Sequence, residues 1–114
     1  MSTNELTWVE FEKVEMRVGT ILNADDFPEA RKPAFQLTID FGLDIGILKS
    51  SAQITRRYTK DDLIGKQIIA VVNFPKKQIG KFMSECLVLG SVGADSDIVL
   101  LTPDLKVENG LRVG

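Results

Sequence analysis

A chain of 114 residues, 44% hydrophobic and 26% charged, is long enough to bury on the order of two-thirds of its unfolded-chain surface in one domain, and that balance excludes the disordered and membrane classes. One cysteine, Cys86, excludes an internal disulfide, and the lack of histidine removes the usual zinc ligand and the commonest partner of a nucleophilic serine or cysteine; no catalytic set, metal site or cofactor is expected. The net charge of -2 is unevenly spread: residues 1–48 hold four Lys and Arg against nine Asp and Glu, residues 49–81 eight against two, and residues 82–114 two against five, so a general polyanion binder is excluded while a local basic footprint is not.

In chain order, Thr7-Trp8-Val9-Glu10 has the capping-box pattern, a hydroxyl followed three residues on by a carboxylate, and predicts a short helix over about residues 8–14 with Trp8, Phe11 and Val14 on an apolar side. On so small a protein such a helix either plugs one end of a barrel or packs against a second subunit. From Met16 the pattern alternates with period two through Leu22, and Gly19 within it suggests a bend or bulge. A loop, DDFPEARKP, leads to the clearest alternation in the chain: Phe35, Leu37, Ile39 and Phe41 against Gln36, Thr38 and Asp40. This is a half-buried strand whose phenylalanines belong to the core. Gly42-Leu43-Asp44 reads as a hairpin turn into a strand over 45–48. The stretch SSAQITRRYTKDDLIG, with Ile54 and Tyr58 four apart and Ser50 or Ser51 as N-cap, predicts a short helix carrying Arg56 and Arg57 on its outer face. Strands resume over 66–74, about 86–90 and 98–101. A helix, three strands, a short helix and two or three further strands is the order of an all-β, five-stranded Greek-key barrel of the OB type spanning residues 1–114 as one domain. No segment approaches the roughly 18 uninterrupted apolar residues of a membrane span, and MSTNELTWVEFEK lacks the pattern of a secretory signal. Membrane insertion is not expected, and the cytoplasm is the expected address.

NFPKKQIGKFMSE, residues 73–85, places Lys76, Lys77 and Lys81 in one short connection between apolar runs. Such a stretch is either a solvated turn or the edge of a binding surface, and the basic middle third favours the second. Phe74 and Phe82 bracket it and suit stacking or apolar contact with a peptide. Cys86, among Leu87, Val88 and Leu89, reads as a small buried hydrophobe.

The blocks MRVGTILNADDFPEARKPAFQLTIDFG, SSAQITRRY and IIAVVNFPKKQIGKFMSECLVLG stand in an order and at separations that closely resemble the CsaA-type, secretion-related chaperones within the wider family of OB-fold tRNA-binding domains. The resemblance runs from about residue 11 to residue 114. It implies a non-enzymatic homodimer, with Trp8 and Phe11 at the subunit interface, and a surface shared by two ligand classes. Carried over position by position, that surface comprises Arg31, Lys32, Ser50, Ser51, Asn73, Lys76, Lys77 and Ser84, to which Phe74 and Phe82 are added from their own pattern. The partners implied are unfolded or exported polypeptides, held without ATP since no Gly-Lys-Ser/Thr phosphate loop is present, with structure-selective tRNA binding as the alternative. Where tRNA-binding relatives tend to carry Ser-x-Gly-Met, this chain has Ser84-Glu85-Cys86-Leu87; Glu85 sets a carboxylate beside the presumed phosphate path, and that favours the chaperone branch.

Overall fold

Thr7 and Thr59 open the two helices by the same chemistry. In the computed structural model, which describes residues 4–114, each threonine accepts a backbone N–H from the third helical residue, whose carboxylate returns the bond to the cap, Glu10 in one case and Asp62 in the other. These caps define α1 (Trp8–Glu12) and α2 (Lys60–Leu63). Between them run β1 (Met16–Asp26), β2 (Phe35–Asp40) and β3 (Ile47–Ala52). After α2 come β4 (Gln67–Val71), β5 (Lys77–Ile79), β6 (Phe82–Ser84), β7 (Leu87–Val88), β8 (Gly90–Val92), β9 (Ile98–Leu100) and β10 (Arg112–Val113). The main sheet has the order β3-β2-β1-β4-β7, with β10 added beside β1, and curls into a nearly closed barrel of the OB type. Two small hairpins, β5-β6 and β8-β9, stand outside it.

β1 is the strand both halves of the barrel share: Met16–Thr20 pair with β4, and Thr20–Asp26 pair with β2. The expected irregularity lies at Leu22, where the register shifts between Ile21 and Asn23, and not at Gly19. The extra residue puts Ile21 and Ala24, three apart, on the buried face. Gly19 has a different reason: a Cβ there would stand 2.7 Å from Ile39 Cγ2 and from the Phe41 ring. It is an approach site, not a bend. Inside the barrel Ile21, Leu37, Ile39, Phe41, Leu63 and Ile68 are fully buried, with Phe35, Cys86 and Leu100 close behind. Each such side chain is worth about 1.5–3 kcal/mol of transfer free energy.

The predicted helix after Ser50 and Ser51 is corrected in both place and cap. Both serines belong to β3, opposite Leu37 and Gln36, because their small side chains suit the edge where the barrel closes. The helix begins at Lys60, capped by Thr59 eight residues after Ser51, and drives Leu63 into the core. Arg56 and Arg57 therefore sit on a turn, where they clamp the 94–97 loop. Arg56 Nη1 donates to Ala94 O (3.1 Å) and Asp95 O (3.2 Å), and Arg57 grips both carboxylate oxygens of Asp97. Trp8 is 82% exposed and no residue of α1 is buried. The N-terminal helix does not plug the barrel.

Candidate functional site

The stretch 73–85, read from the sequence as a connection between strands, is a small hairpin. Gly80 at φ 61° makes the turn, and Lys77 faces Ser84 as Ile79 faces Phe82. Met83 is exposed, whereas the Phe82 ring is half-buried and rests on Phe27, centroids 5.2 Å apart and planes inclined by 57°. Phe27, 4% exposed, belongs to the β1-β2 loop, so this one aromatic pair joins the hairpin to that loop. The two connections that flank the ligand face of an OB barrel are thereby brought together.

At its base the hairpin closes the barrel seam through side chains where strands alone would not. Glu85 N–H donates to Lys49 O (2.7 Å), and Lys49 N–H donates to Glu85 Oε1 (3.0 Å). Ser51 N–H donates to Ser84 Oγ (3.2 Å), and Ser50 Oγ to Cys86 O (2.8 Å). The other Glu85 oxygen takes Lys76 Nζ at 3.3 Å. The carboxylate expected to repel a polyanion is thus turned to the seam and matched by a cation.

Two grooves adjoin at Lys77. One, of about 480 Å³, is cationic: Arg31, Lys32 and Lys77 line it with Ser51 and Gln53, against the single carboxylate of Glu29. The other, of about 260 Å³, is apolar: Phe74, Pro75, Cys86 and Leu87 line it beside Lys77 and Ser84. Phe74 is 55% exposed and Leu87 48%, which suits them to contact a partner. Neither Arg31, Lys32, Lys77 nor Lys81 has an ion-pair partner among the described residues, and the neighbouring Glu29 pairs with none of them. Burial pushes the Cys86 thiol up to about 12, only partly offset by its hydrogen bond with Ser50, so at neutral pH it is a protonated, unreactive wall of the apolar groove.

Of the ten residues expected at the surface, Arg31, Lys32, Ser51, Phe74, Lys77 and Ser84 line these grooves. The other four do something else. Ser50 is fully buried in the seam, so its small polar side chain signals closure, not a ligand contact. Asn73 clasps the α1-β1 connection, accepting from Glu15 N–H (3.0 Å) and donating to Lys13 O (2.6 Å). Lys76 is held to Glu85 on the rim, and Phe82 anchors the hairpin instead of offering a stacking face. Sequence reasoning missed Pro75, Gln53 and the outward face of Leu87; for Leu87 the signal was available, since it alternates with buried Cys86. A larger cavity of about 600 Å³ lies between the β2-β3 turn and the C-terminal segment, but its Arg17 is already committed to Glu15 and Gly110 O. No group of three or more residues that could hold a metal ion occurs among the described residues, and no helix there is long and apolar enough to cross a membrane.

Residues 16–112 match the model of a family described as a putative tRNA binding domain. Among solved structures, the chain is similar to the chaperone CsaA from Bacillus anthracis str. Ames, with 48% identity and a TM-score of 0.91 over 96% of this chain and 99% of that one. It is similar as well to the CsaA chaperone protein from Picrophilus torridus, with 53% identity and a TM-score of 0.90 over 96% and 100%. A methionine--tRNA ligase of Parabacteroides distasonis is 31% identical over 104 residues, 91% of this chain. The chain spans about 15% of the length of that relative, so the likeness concerns one part of the ligase.

Proposed function

The chain belongs to the tRNA-binding domain family, and from that premise, with its likeness to CsaA chaperones, we propose that it is an export-related chaperone that holds unfolded polypeptide without ATP. The observation that carries this reading is the apolar groove of Phe74, Pro75, Cys86 and Leu87 set directly beside cations at Lys77. A polyanion needs cations along its path; it gains little from an apolar trough with one lysine on its wall. An unfolded chain offers apolar side chains that bury there, and the burial is not screened by salt. Arg31, Lys32 and Lys77 then steer clients and fix their register more than they add affinity. The function is binding, with release left to the client's own folding or to a downstream acceptor.

The cationic groove of Arg31, Lys32 and Lys77 favours a second reading, tRNA binding on the same surface. There phosphate contacts would supply the affinity, and Phe74 would stack on an unpaired base. Assembly as a homodimer through the exposed Leu6, Trp8 and Val9 and the half-buried Phe11 belongs to both readings, since two copies would double either surface.

The test is a pair of titrations, one with a permanently unfolded, carboxymethylated protein and one with tRNA, each at about 50 and about 200 mM salt. The chaperone reading expects the unfolded protein to bind with nearly the same Kd at both salts and to compete with tRNA. Tight, salt-sensitive tRNA binding with no uptake of the unfolded protein would replace the first reading by the second.

A further inference from the structure

We infer that the grooves around the base of the hairpin form one client site with a second apolar part, and that this site selects polypeptide segments in which two bulky apolar side chains stand beside a carboxylate. This rests on the chaperone reading and deepens it by naming the chemistry of the client.

Beside the cationic groove and the apolar groove at Phe74 lies a third, of about 340 Å³, lined by Ile54, Leu87, Val92 and Ile98 among others, with neither a charged nor an aromatic residue in its lining. The three adjoin pairwise. Lys77 lines both the cationic groove and the groove at Phe74, Leu87 lines both apolar grooves, and Ser51 with Gln53 lines both the cationic groove and the third. Their common joint is fixed, because Ser51 N–H donates to Ser84 Oγ (3.2 Å) and Ser50 Oγ to Cys86 O (2.8 Å). β3 and β7 are shut together there, so the third groove is a place for side chains. Leu87 at 48% exposure and Val92 at 81% are the parts of its wall that a partner can cover.

Each part asks for different chemistry. In the cationic groove Arg31, Lys32 and Lys77 stand without ion-pair partners against the one carboxylate of Glu29, so an incoming carboxylate is attracted and an incoming cation repelled. The third groove offers a polyanion no cation to pair with and no ring to stack on, so RNA gains nothing from that part of the tract. A polypeptide uses all of it, because one short backbone carries apolar side chains and a carboxylate side by side. Burial of a side chain in each apolar groove adds affinity that salt does not screen, while the carboxylate's share falls as salt rises. Discrimination against basic segments then comes from repulsion at Arg31 and Lys32 as much as from attraction of acidic ones.

The experiment uses the whole protein and short, fluorescein-labelled serine-glycine peptides. The reference peptide carries two leucines with an aspartate between them and another after; a second has both aspartates replaced by lysine, and a third has one leucine replaced by serine. At about 50 mM salt the lysine peptide should bind about tenfold or more weaker than the reference, and the single-leucine peptide about fivefold weaker. Arg31→Glu with Lys32→Glu, both exposed, should reverse the order of the aspartate and lysine peptides. Val92→Asp, at an exposed position, should weaken the reference about fivefold and leave the single-leucine peptide, whose identical charge controls for the new carboxylate, within about twofold. Equal binding of the aspartate and lysine peptides overturns the carboxylate preference. Equal binding of the one- and two-leucine peptides, or a Val92→Asp variant that binds both as the parent does, overturns the third groove. Uptake of the carboxymethylated protein with no peptide bound overturns both and leaves the chaperone reading standing. Failure of the carboxymethylated protein and of every peptide to bind removes the chaperone reading itself.

Discussion

Two segments pack on the strands β1–β4, the 73–86 hairpin and the C-terminal segment 101–114, and they are attached in different ways, one at its ends and the other along its length. The C-terminal segment gives its polar groups to the barrel. Gln67 Nε2 donates to Val107 O (2.7 Å), Val107 N–H returns to Gln67 Oε1 (3.0 Å), and Asn109 Oδ1 accepts from Thr20 Oγ1 (2.7 Å) and Gln67 Nε2 (3.1 Å). Gly110 N–H donates to Val18 O (2.7 Å), and β10 then continues along β1. The hairpin is tied at its two ends, Asn73 to Glu15 N–H and Lys13 O, and Ser84, Glu85 and Cys86 to Ser51, Lys49 and Ser50, with the Phe82–Phe27 ring pair between them, and keeps Lys77, Lys81, Phe74 and Met83 facing outward. A segment whose polar groups are consumed by the fold completes it. A segment whose groups are left over is available to a partner.

The largest effect expected from this contrast is at Gly110. Its φ is 92°, and a Cβ would meet Phe41 O at 2.6 Å, so Gly110→Val should cost about 3 kcal/mol or more in denaturant unfolding. Gln67→Ala should cost about 2 kcal/mol, because it strands the Val107 backbone groups and leaves Asn109 with one partner fewer. At the hairpin Phe82→Ala should cost only about 1–2 kcal/mol, yet lower client affinity by releasing the hairpin from Phe27 and widening both grooves. Equal losses from Gln67→Ala and Phe82→Ala, with binding untouched by the latter, would erase the distinction between the two segments.

Smaller still is the effect of charge. Arg31→Glu with Lys77→Glu should shift stability by no more than about 0.5 kcal/mol and lower any tRNA affinity at least tenfold at low salt, an order-of-magnitude expectation from the loss of phosphate contacts. Reversing Arg56 and Arg57 should spare RNA binding and loosen the 94–97 loop instead. The least effect concerns Asp97, whose carboxyl is held below its ordinary value of 3.8 first by its hydrogen bond to Arg57. A depressed folded value means that its contribution is complete above the unfolded value and is lost as pH falls through the folded one. Asp97→Asn should therefore lower the melting temperature slightly near neutrality and flatten its decline below about pH 4.

How much of this was legible in the sequence depended on the range of the interactions. The Phe35–Phe41 alternation and the Thr7 capping box are local patterns, and both stand in the structure. The β5-β6 hairpin was missed because three residues a side, a third of them Lys or Gln, carry no periodic signal. Ser50 and Ser51 were open to two readings, since a serine before an apolar run caps a helix as readily as it closes a seam. What decided between them was Ser84 and Cys86, more than thirty residues away. The clamp of Gln67 on Val107 and Asn109 spans 40 and 42 residues and has no local signature at all. At the site, Arg31, Lys32 and Ser84 were reached through resemblance, while Phe74 and Lys77 were visible as aromatic and cation in a connection otherwise expected to be only solvated.

The central claim is that apolar contact at Phe74 and Leu87, beside the cations, holds the client. It is tested most directly by Phe74→Asp and Leu87→Asp, both at exposed positions, assayed for the unfolded protein and for tRNA on the same preparations. The account predicts that each substitution weakens the unfolded protein about tenfold or more, the order of burying one large apolar side chain, at both low and high salt. Unchanged binding of the unfolded protein to both variants, with tRNA affinity reduced instead, would contradict it.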